Sequence, residues 1–271
     1  MNEKKGIELT NEEFFFLAGL FDCDALIGVP DPFIGYWAED VEGKLKLAAQ
    51  SLKQKGYVVH DDCDMNLMPE LLEYMRICTK TNLTLWLQTE RGGKSAESYY
   101  YLSPRKVIES KVFEQGDRLS YVLRDCGTPE KAWDDLLQRH KPDSKPVLYG
   151  CKVQIPLYIF EEMLELRESW TVRRMEAKLK EQGVFSTAAR LLAKTIKNYE
   201  SYGQFAAFHE VQERWRMDSV YFLYGREVNW LMRVVAQPDG PYAEFQPASE
   251  ASFQEAMRHV VLQTKPELSV L

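Results

Sequence analysis

Arg91-Gly92-Gly93-Lys94-Ser95 is the stretch that comes nearest to a phosphate-binding loop. Such a loop needs another glycine five residues before Gly93 and a helix behind it, so that free amides point at the phosphate. Position 88 is Gln, and Ser98 to Leu102 alternates like a strand, so the run reads as a hairpin turn. His60-Asp61-Asp62-Cys63-Asp64 gathers metal-ligating types. Zinc ligands come as two spaced pairs, and a calcium loop alternates its oxygen ligands around a central glycine. The run has neither pattern and reads as a solvated connection between helices.

Nucleophilic chemistry leaves no signature either. The chain lacks Gly-x-Ser-x-Gly, His-Glu-x-x-His and Gly-x-Gly-x-x-Gly. Three of its four histidines, His140, His209 and His259, fall in segments read as helix end, strand and helix. His209 has the chemistry of a general base but reads as a hydrogen-bonded sheet histidine. Asp134-Asp135 and Glu161-Glu162 lie on helix surfaces, where charge is simply solvated. Tyr99-Tyr100-Tyr101 has the ring faces to stack bases, but stacking platforms lie in Lys/Arg grooves. Alternate tyrosines on a two-faced sheet explain it better. Glu213-Arg214-Trp215-Arg216 sets an indole between two guanidinium groups and reads as a strand connection or a recognition surface. No catalytic, cofactor-binding or metal residue is assigned. The main reading is a binding protein; the alternative is a small-ligand protein or enzyme using the crevice between two halves.

Composition narrows the partners. In 271 residues, 45% are hydrophobic, 12% aromatic and 28% charged, which excludes disorder, collagen-like sequence and a disulfide-stapled mini-protein. Lys+Arg 34 against Asp+Glu 41 gives a net charge of −7. That acidity argues against nucleic acid and anionic membrane, which need a basic footprint. No apolar run approaches the ~20 residues that span a bilayer. Met1-Asn2-Glu3-Lys4-Lys5-Gly6 has no hydrophobic segment behind its lysines, so a cytoplasmic protein is expected. Cys23, Cys63, Cys78, Cys126 and Cys151 are odd in number and scattered, as reduced thiols are.

The elements are then read for the surface they build. Thr10-Asn11-Glu12-Glu13 is a capping box opening a short helix. A second helix runs from about Tyr36 to Lys55 and stops at Gly56; a third opens at Pro69. Period two replaces the helical period after Asn82: strands are expected at Leu83–Gln88, Glu97–Leu102, Val107–Phe113 and Leu119–Leu123. Thr128-Pro129-Glu130 starts another helix, and the two prolines of Lys141 to Pro146 mark a linker. Beyond it, helices are expected at Pro156–Glu168, at Thr171–Gln182 and behind a Ser186 cap. Strands at Gln204–Val211, Asp218–Tyr224 and Glu227–Ala236 follow, with a last helix capped by Ser249.

The programme thus runs twice. Shifted by 121 positions, Glu97 meets Asp218, Tyr100 meets Tyr221, Tyr101 meets Phe222, Val107 meets Val228, and the caps Thr128 and Ser249 coincide. A three- or four-stranded sheet leaves its edges and one face open, so one copy cannot close a core. The expectation is α+β: a quasi-two-fold pair of helix-plus-antiparallel-meander repeats forming one central sheet flanked by helical bundles. The whole chain, 1–271, is expected as a single domain with repeat one at about 8–140, a linker at 141–150 and repeat two at about 151–263.

This layout resembles the EspG-type chaperones of type VII (ESX) secretion systems. The resemblance is carried by Leu9-Thr10-x-x-Glu13, the Gly56 helix stop and Tyr202-Gly203-Gln204-Phe205-Ala206-Ala207. Gly225-Arg226 and the closing stretch from Asp239-Gly240 through Phe245-Gln246-Pro247-Ala248 complete it. It implies a cytosolic adaptor that masks the apolar tip of a helical secreted substrate, of WXG type or PE/PPE-like, and is itself a monomer or weak dimer. It also implies contact through a strand-connecting loop and a helical bundle. The candidates are Gln115, Gly116, Asp117 and Arg118 in a turn, and Phe185 and Tyr199 on the helices.

Overall fold

Thr10 closes the first helix as its sequence dictates: its hydroxyl accepts from the Glu13 amide at 3.2 Å, and the Glu13 carboxylate accepts from the Thr10 amide at 2.8 Å. The computed structural model describes residues 6–23, 25–61, 64–116, 118–145, 152–212 and 214–264. Its first part comprises β1 (Ile7–Thr10), α1 (Asn11–Gly19), α2 (Ala38–Gln54), β2 (Val58–Asp61), β3 (Asp64–Leu67), α3 (Pro69–Lys80), β4 (Leu83–Arg91), β5 (Lys94–Leu102), β6 (Val107–Gln115), β7 (Arg118–Asp125) and α4 (Pro129–His140). The rest comprises β8 (Val153–Pro156), α5 (Leu157–Glu165), α6 (Val172–Glu181), α7 (Ser186–Lys197), β9 (Ser201–Val211), β10 (Arg214–Tyr224), β11 (Asn229–Gln237), β12 (Gly240–Pro247) and α8 (Glu250–Thr264). Ten strands form one sheet in the order β1-β7-β6-β5-β4-β9-β10-β11-β12-β8, and every register described is antiparallel. The α+β class and the single large sheet expected from the sequence are the observed ones.

Several local expectations change. The segment around His60 is not a plain connection: β2 and β3 pair as a hairpin, with Asp62 and Cys63 outside the described residues. Besides β2 and β3, three further strands were not expected, namely β1, β8 and β12. The first two have four residues each, too few for a periodic signal, and β12 opens on Gly240-Pro241, which read as turn residues. Helix α5 ends at Glu165 rather than Glu168. Residues 141–145 of the expected linker have no regular structure, and 146–150 lie outside the described residues, as does Cys151.

The chain divides into two compact units, and neither is a linear half. Unit 1 comprises Met1–Trp86, Ala96–Asp134 and Phe208–Trp215; unit 2 comprises Leu87–Ser95, Asp135–Ala207 and Arg216–Leu271. In unit 1, Tyr101, Ile108, Tyr121 and Leu123 of the meander pack with Leu9 of β1, Phe14 and Leu17 of α1, Leu52 of α2 and Met75 of α3. In unit 2, Leu223, Trp230, Ala243 and Phe245 pack with Ile155 of β8, Phe160 and Met163 of α5, Leu179 of α6 and Leu192 of α7. Each Leu, Ile, Phe and Met among them contributes about 1.5–3 kcal/mol by leaving water.

These cores correct the spacing between the meanders. A one-residue shift carries every side chain of a strand to the opposite face. At 121, Tyr101 falls on Phe222, yet Phe222 sits edge-on to Phe253 of α8 at 5.9 Å, outside the core that holds Leu223. At 122, Tyr101, Ile108, Tyr121 and Leu123 fall on Leu223, Trp230, Ala243 and Phe245, core on core. The caps keep the 121 spacing: Thr128 accepts from the Lys131 amide at 3.4 Å, and Ser249 from the Ser252 amide at 3.1 Å.

Gly203 in β9 shows how tightly unit 2 is built, because a Cβ there would strike the Gln88 carbonyl and the Phe222 ring. Gly203→Ala is expected to lose about 1–3 kcal/mol of stability in urea unfolding. Gly43→Ala, in α2 with open space around it, is expected to gain about 0.4–1 kcal/mol in the same measurement.

Candidate functional site

Helix α7 carries both helical residues singled out from the sequence, one at each end. Ala188, Ala189, Leu191, Leu192, Ala193 and Ile196 bury its inner face. Its cap is Phe185 rather than Ser186: the Phe185 carbonyl accepts from the Ala189 amide at 2.8 Å, and Ser186 is the first helical residue. The Phe185 ring is 85% exposed, the most open large apolar side chain among the described residues. Tyr199 lies beyond the far end, about 20 Å along the helix at 1.5 Å per residue. The two residues therefore mark opposite ends of one helix and do not converge.

Tyr199 is half-buried and held from several sides. Its hydroxyl donates to Glu90 at 2.9 Å, the Arg167 guanidinium lies 4.2 Å from its ring centre, and Tyr202 tilts against it at 5.8 Å. Arg167 also reaches Glu90 at 3.5 Å, and its own carbonyl accepts from Lys197. Burial, then the hydrogen bond to Glu90, pushes the Tyr199 phenol up to about 12, with Arg167 pulling the other way. Glu90 is the residue the sequence reading missed. It stands 109 positions from Tyr199, and no local pattern ties them.

The turn named from the sequence lies elsewhere. Gln115 and Arg118 pair across the β6–β7 hairpin of unit 1, Gly116 takes the left-handed conformation at φ 60°, and Asp117 falls outside the described residues. The hairpin tip grouped with α7 in unit 2 is that of β4–β5, Leu87–Ser95, turning on Gly92 (φ 57°) and Gly93 (φ 73°) in open space. Two glycines at positive φ make the turn expected of Arg91-Gly92-Gly93-Lys94.

His209 lies buried in β9. Arg214, Trp215 and Arg216 do not form a connection: they are the first residues of β10, after a turn at Gln212 (φ 51°), with Glu213 outside the described residues. Unit 2 contains a cavity of about 160 Å³ whose lining includes Arg91, His140, Lys141, Glu200, Tyr224 and Asn229. Its floor is pinned by the Tyr224 hydroxyl on the His140 carbonyl (3.0 Å) and the Asn229 amide on the Asp143 carbonyl (3.0 Å). Small-molecule pockets usually enclose about 300–1,000 Å³, so this one suits a few waters or a small ion. Among the described residues, no three His, Cys, Asp or Glu side chains gather as a metal site, and no helix is long and apolar enough to cross a membrane.

The fold is similar to that of the Mycobacterium tuberculosis type VII secretion system chaperone EspG5, solved in complex with a PE25–PPE41 dimer. The TM-score is 0.61 at 14% identity, over 95% of this chain and 96% of that chain. The EspG-type architecture that the sequence resembled is therefore the architecture of this chain. Mycobacterium tuberculosis HtdX aligns over 89% of this chain and 97% of its own at 10% identity, with a TM-score of 0.14. No protein-family model matches the sequence, and no curated protein matches it.

Tyr199→Phe removes the bond to Glu90 and is expected to lose about 0.5–1.5 kcal/mol near neutral pH. The phenol is raised from 10.0 to about 12 on folding. Its neutral form is therefore the stabilised one, fully present below pH 10 and lost as pH rises towards 12. Urea unfolding of both proteins is expected to show a constant gap below about pH 9 that closes between about pH 10 and 12.

Proposed function

We propose that the chain is a non-catalytic cytoplasmic chaperone that holds a helical type VII secretion substrate in soluble form for export. The observation that carries this reading is the fold: nearly the whole chain superposes on a type VII secretion chaperone solved in complex with a PE25–PPE41 dimer. The substrate class that fits is a helical pair or hairpin, PE/PPE-like or of WXG type, with an apolar tip that aggregates when bare.

The surface supports binding rather than turnover. Phe185 and Tyr158, 85% and 64% exposed, offer apolar contact area on the helices of unit 2. Aromatic anchors of this kind supply most of the energy of protein interfaces. Contact is proposed at Phe185 and Tyr199 and at the turn of Gln115, Gly116 and Arg118. The excess of acidic side chains limits non-specific association.

Co-expression with each helical WXG-type or PE/PPE-like protein encoded beside the gene is expected to yield one co-purifying complex of fixed stoichiometry by light scattering. Phe185→Glu is expected to weaken that complex about tenfold or more, the effect of losing an anchor worth ~1.4 kcal/mol. Failure to co-purify with every such protein removes the chaperone reading.

A further inference from the structure

Helix α2 begins on a surface that its own unit leaves open. Of its 17 residues only Ala48 and Leu52 are buried, both in the C-terminal half. Trp37, the cap of the helix, is 81% exposed, and Leu47 is 64% exposed. Ile34 and Tyr36, just before the cap, are 79% and 50% exposed. All of these residues belong to unit 1. Single exposed apolar side chains are ordinary, but a group of them marks an interaction surface.

Their spacing says what covers them. Trp37, Asp40, Lys44 and Leu47 are three, four and three residues apart, so they form one stripe along the helix. The stripe is symmetric about position 42: Trp37 and Leu47 are equidistant from it, and so are Asp40 and Lys44. Laid antiparallel on a second copy of itself, it sets Trp37 on Leu47 and Asp40 on Lys44, each contact made twice. A parallel pair would set Asp40 on Asp40 and Lys44 on Lys44, like charge on like charge. The Asp40 carboxylate has no ion-pair partner among the described residues, and the Lys44 ammonium lies 4.5 Å over the Tyr36 ring. The helix dipole favours acids early and lysines late, but it does not account for a tryptophan and a leucine left in water on the same stripe.

We propose that α2 is the interface of a homodimer, in which two copies of the helix pack antiparallel about a two-fold axis level with position 42. Trp37 and Leu47 supply the anchors, and the Asp40–Lys44 pairs set the direction. A stripe of about three turns covers less than the ~800 Å² per partner of a stable interface, so the dimer exchanges readily with monomer.

Sedimentation equilibrium of the full chain alone, from about 5 to 500 μM, is expected to show a reversible monomer–dimer equilibrium. Trp37→Ala with Leu47→Ala is expected to weaken it about tenfold or more. Asp40→Lys and Lys44→Asp are each expected to weaken it about fivefold or more, since each creates two like-charge contacts. Mixing these two single variants is expected to restore association, because their mixed dimer brings only opposite charges together. An effect confined to one helix would not respond to mixing. Unchanged thermal unfolding midpoints show that the variants are folded. A wild type that stays monomeric throughout overturns the proposal, as does a Trp37/Leu47 variant that dimerises within about twofold of it. Mixing that gives no more dimer than either variant alone also overturns it. If the Trp37/Leu47 changes leave self-association intact but release a co-purifying helical protein, the face serves that partner and the proposal falls.

Discussion

Consecutive residues of a strand point to opposite faces of its sheet, and here consecutive residues are buried. Tyr100 and Tyr101 in β5, and Phe222 and Leu223 in β10, are all nearly inaccessible to water. A sheet that buries both faces must be covered on both. In unit 2 the core of Leu223 lies with α5, α6 and α7, while Phe222 meets Phe253 of α8. The register is then no longer free, since a slip of one residue would exchange two cores. Large side chains can reach solvent only where a strand outruns its cover.

The same double burial explains the polar groups inside. A buried hydroxyl or indole N–H without a partner would weaken the fold by about 1–3 kcal/mol. Glu97 accepts from both the Trp86 indole (2.8 Å) and the Tyr99 hydroxyl (2.7 Å). Glu109, itself buried, accepts from the Tyr100 hydroxyl at 2.9 Å and from the Arg124 guanidinium. These carboxylates are structural. They sit where a reader hunting catalytic acids would look, and their occupation by tyrosine, tryptophan and arginine is why such a search ends in architecture.

The candidate site was only partly legible in the sequence. Phe185 could be singled out, but its exposure follows from its place as the cap of α7, outside the helix's buried face. Tyr199 was found without its partner, because Glu90 reaches it only through the folding of β4 against the end of α7. The β6–β7 turn and the β4–β5 turn look equally good as loops, both marked by glycine. Which of them belongs with α7 depends on long-range packing that no turn residue encodes.

Local structure was determined by the sequence itself. The capping box at Thr10, the caps at Thr128 and Ser249, the glycine stops at Gly56 and Gly183, and the change of period after Asn82 each act within a few residues. Backbone hydrogen bonds and the i+3/i+4 rhythm need no distant partner to be read. The order of most elements followed from them. Tertiary structure alone decided the rest: that four-residue segments at Ile7–Thr10 and Val153–Pro156 become strands, and that the meanders align at 122 rather than 121. A four-residue strand has no stability of its own, and a strand's buried face is set by what packs on it. Both depend on residues far away in the chain, so neither is written in its own neighbourhood.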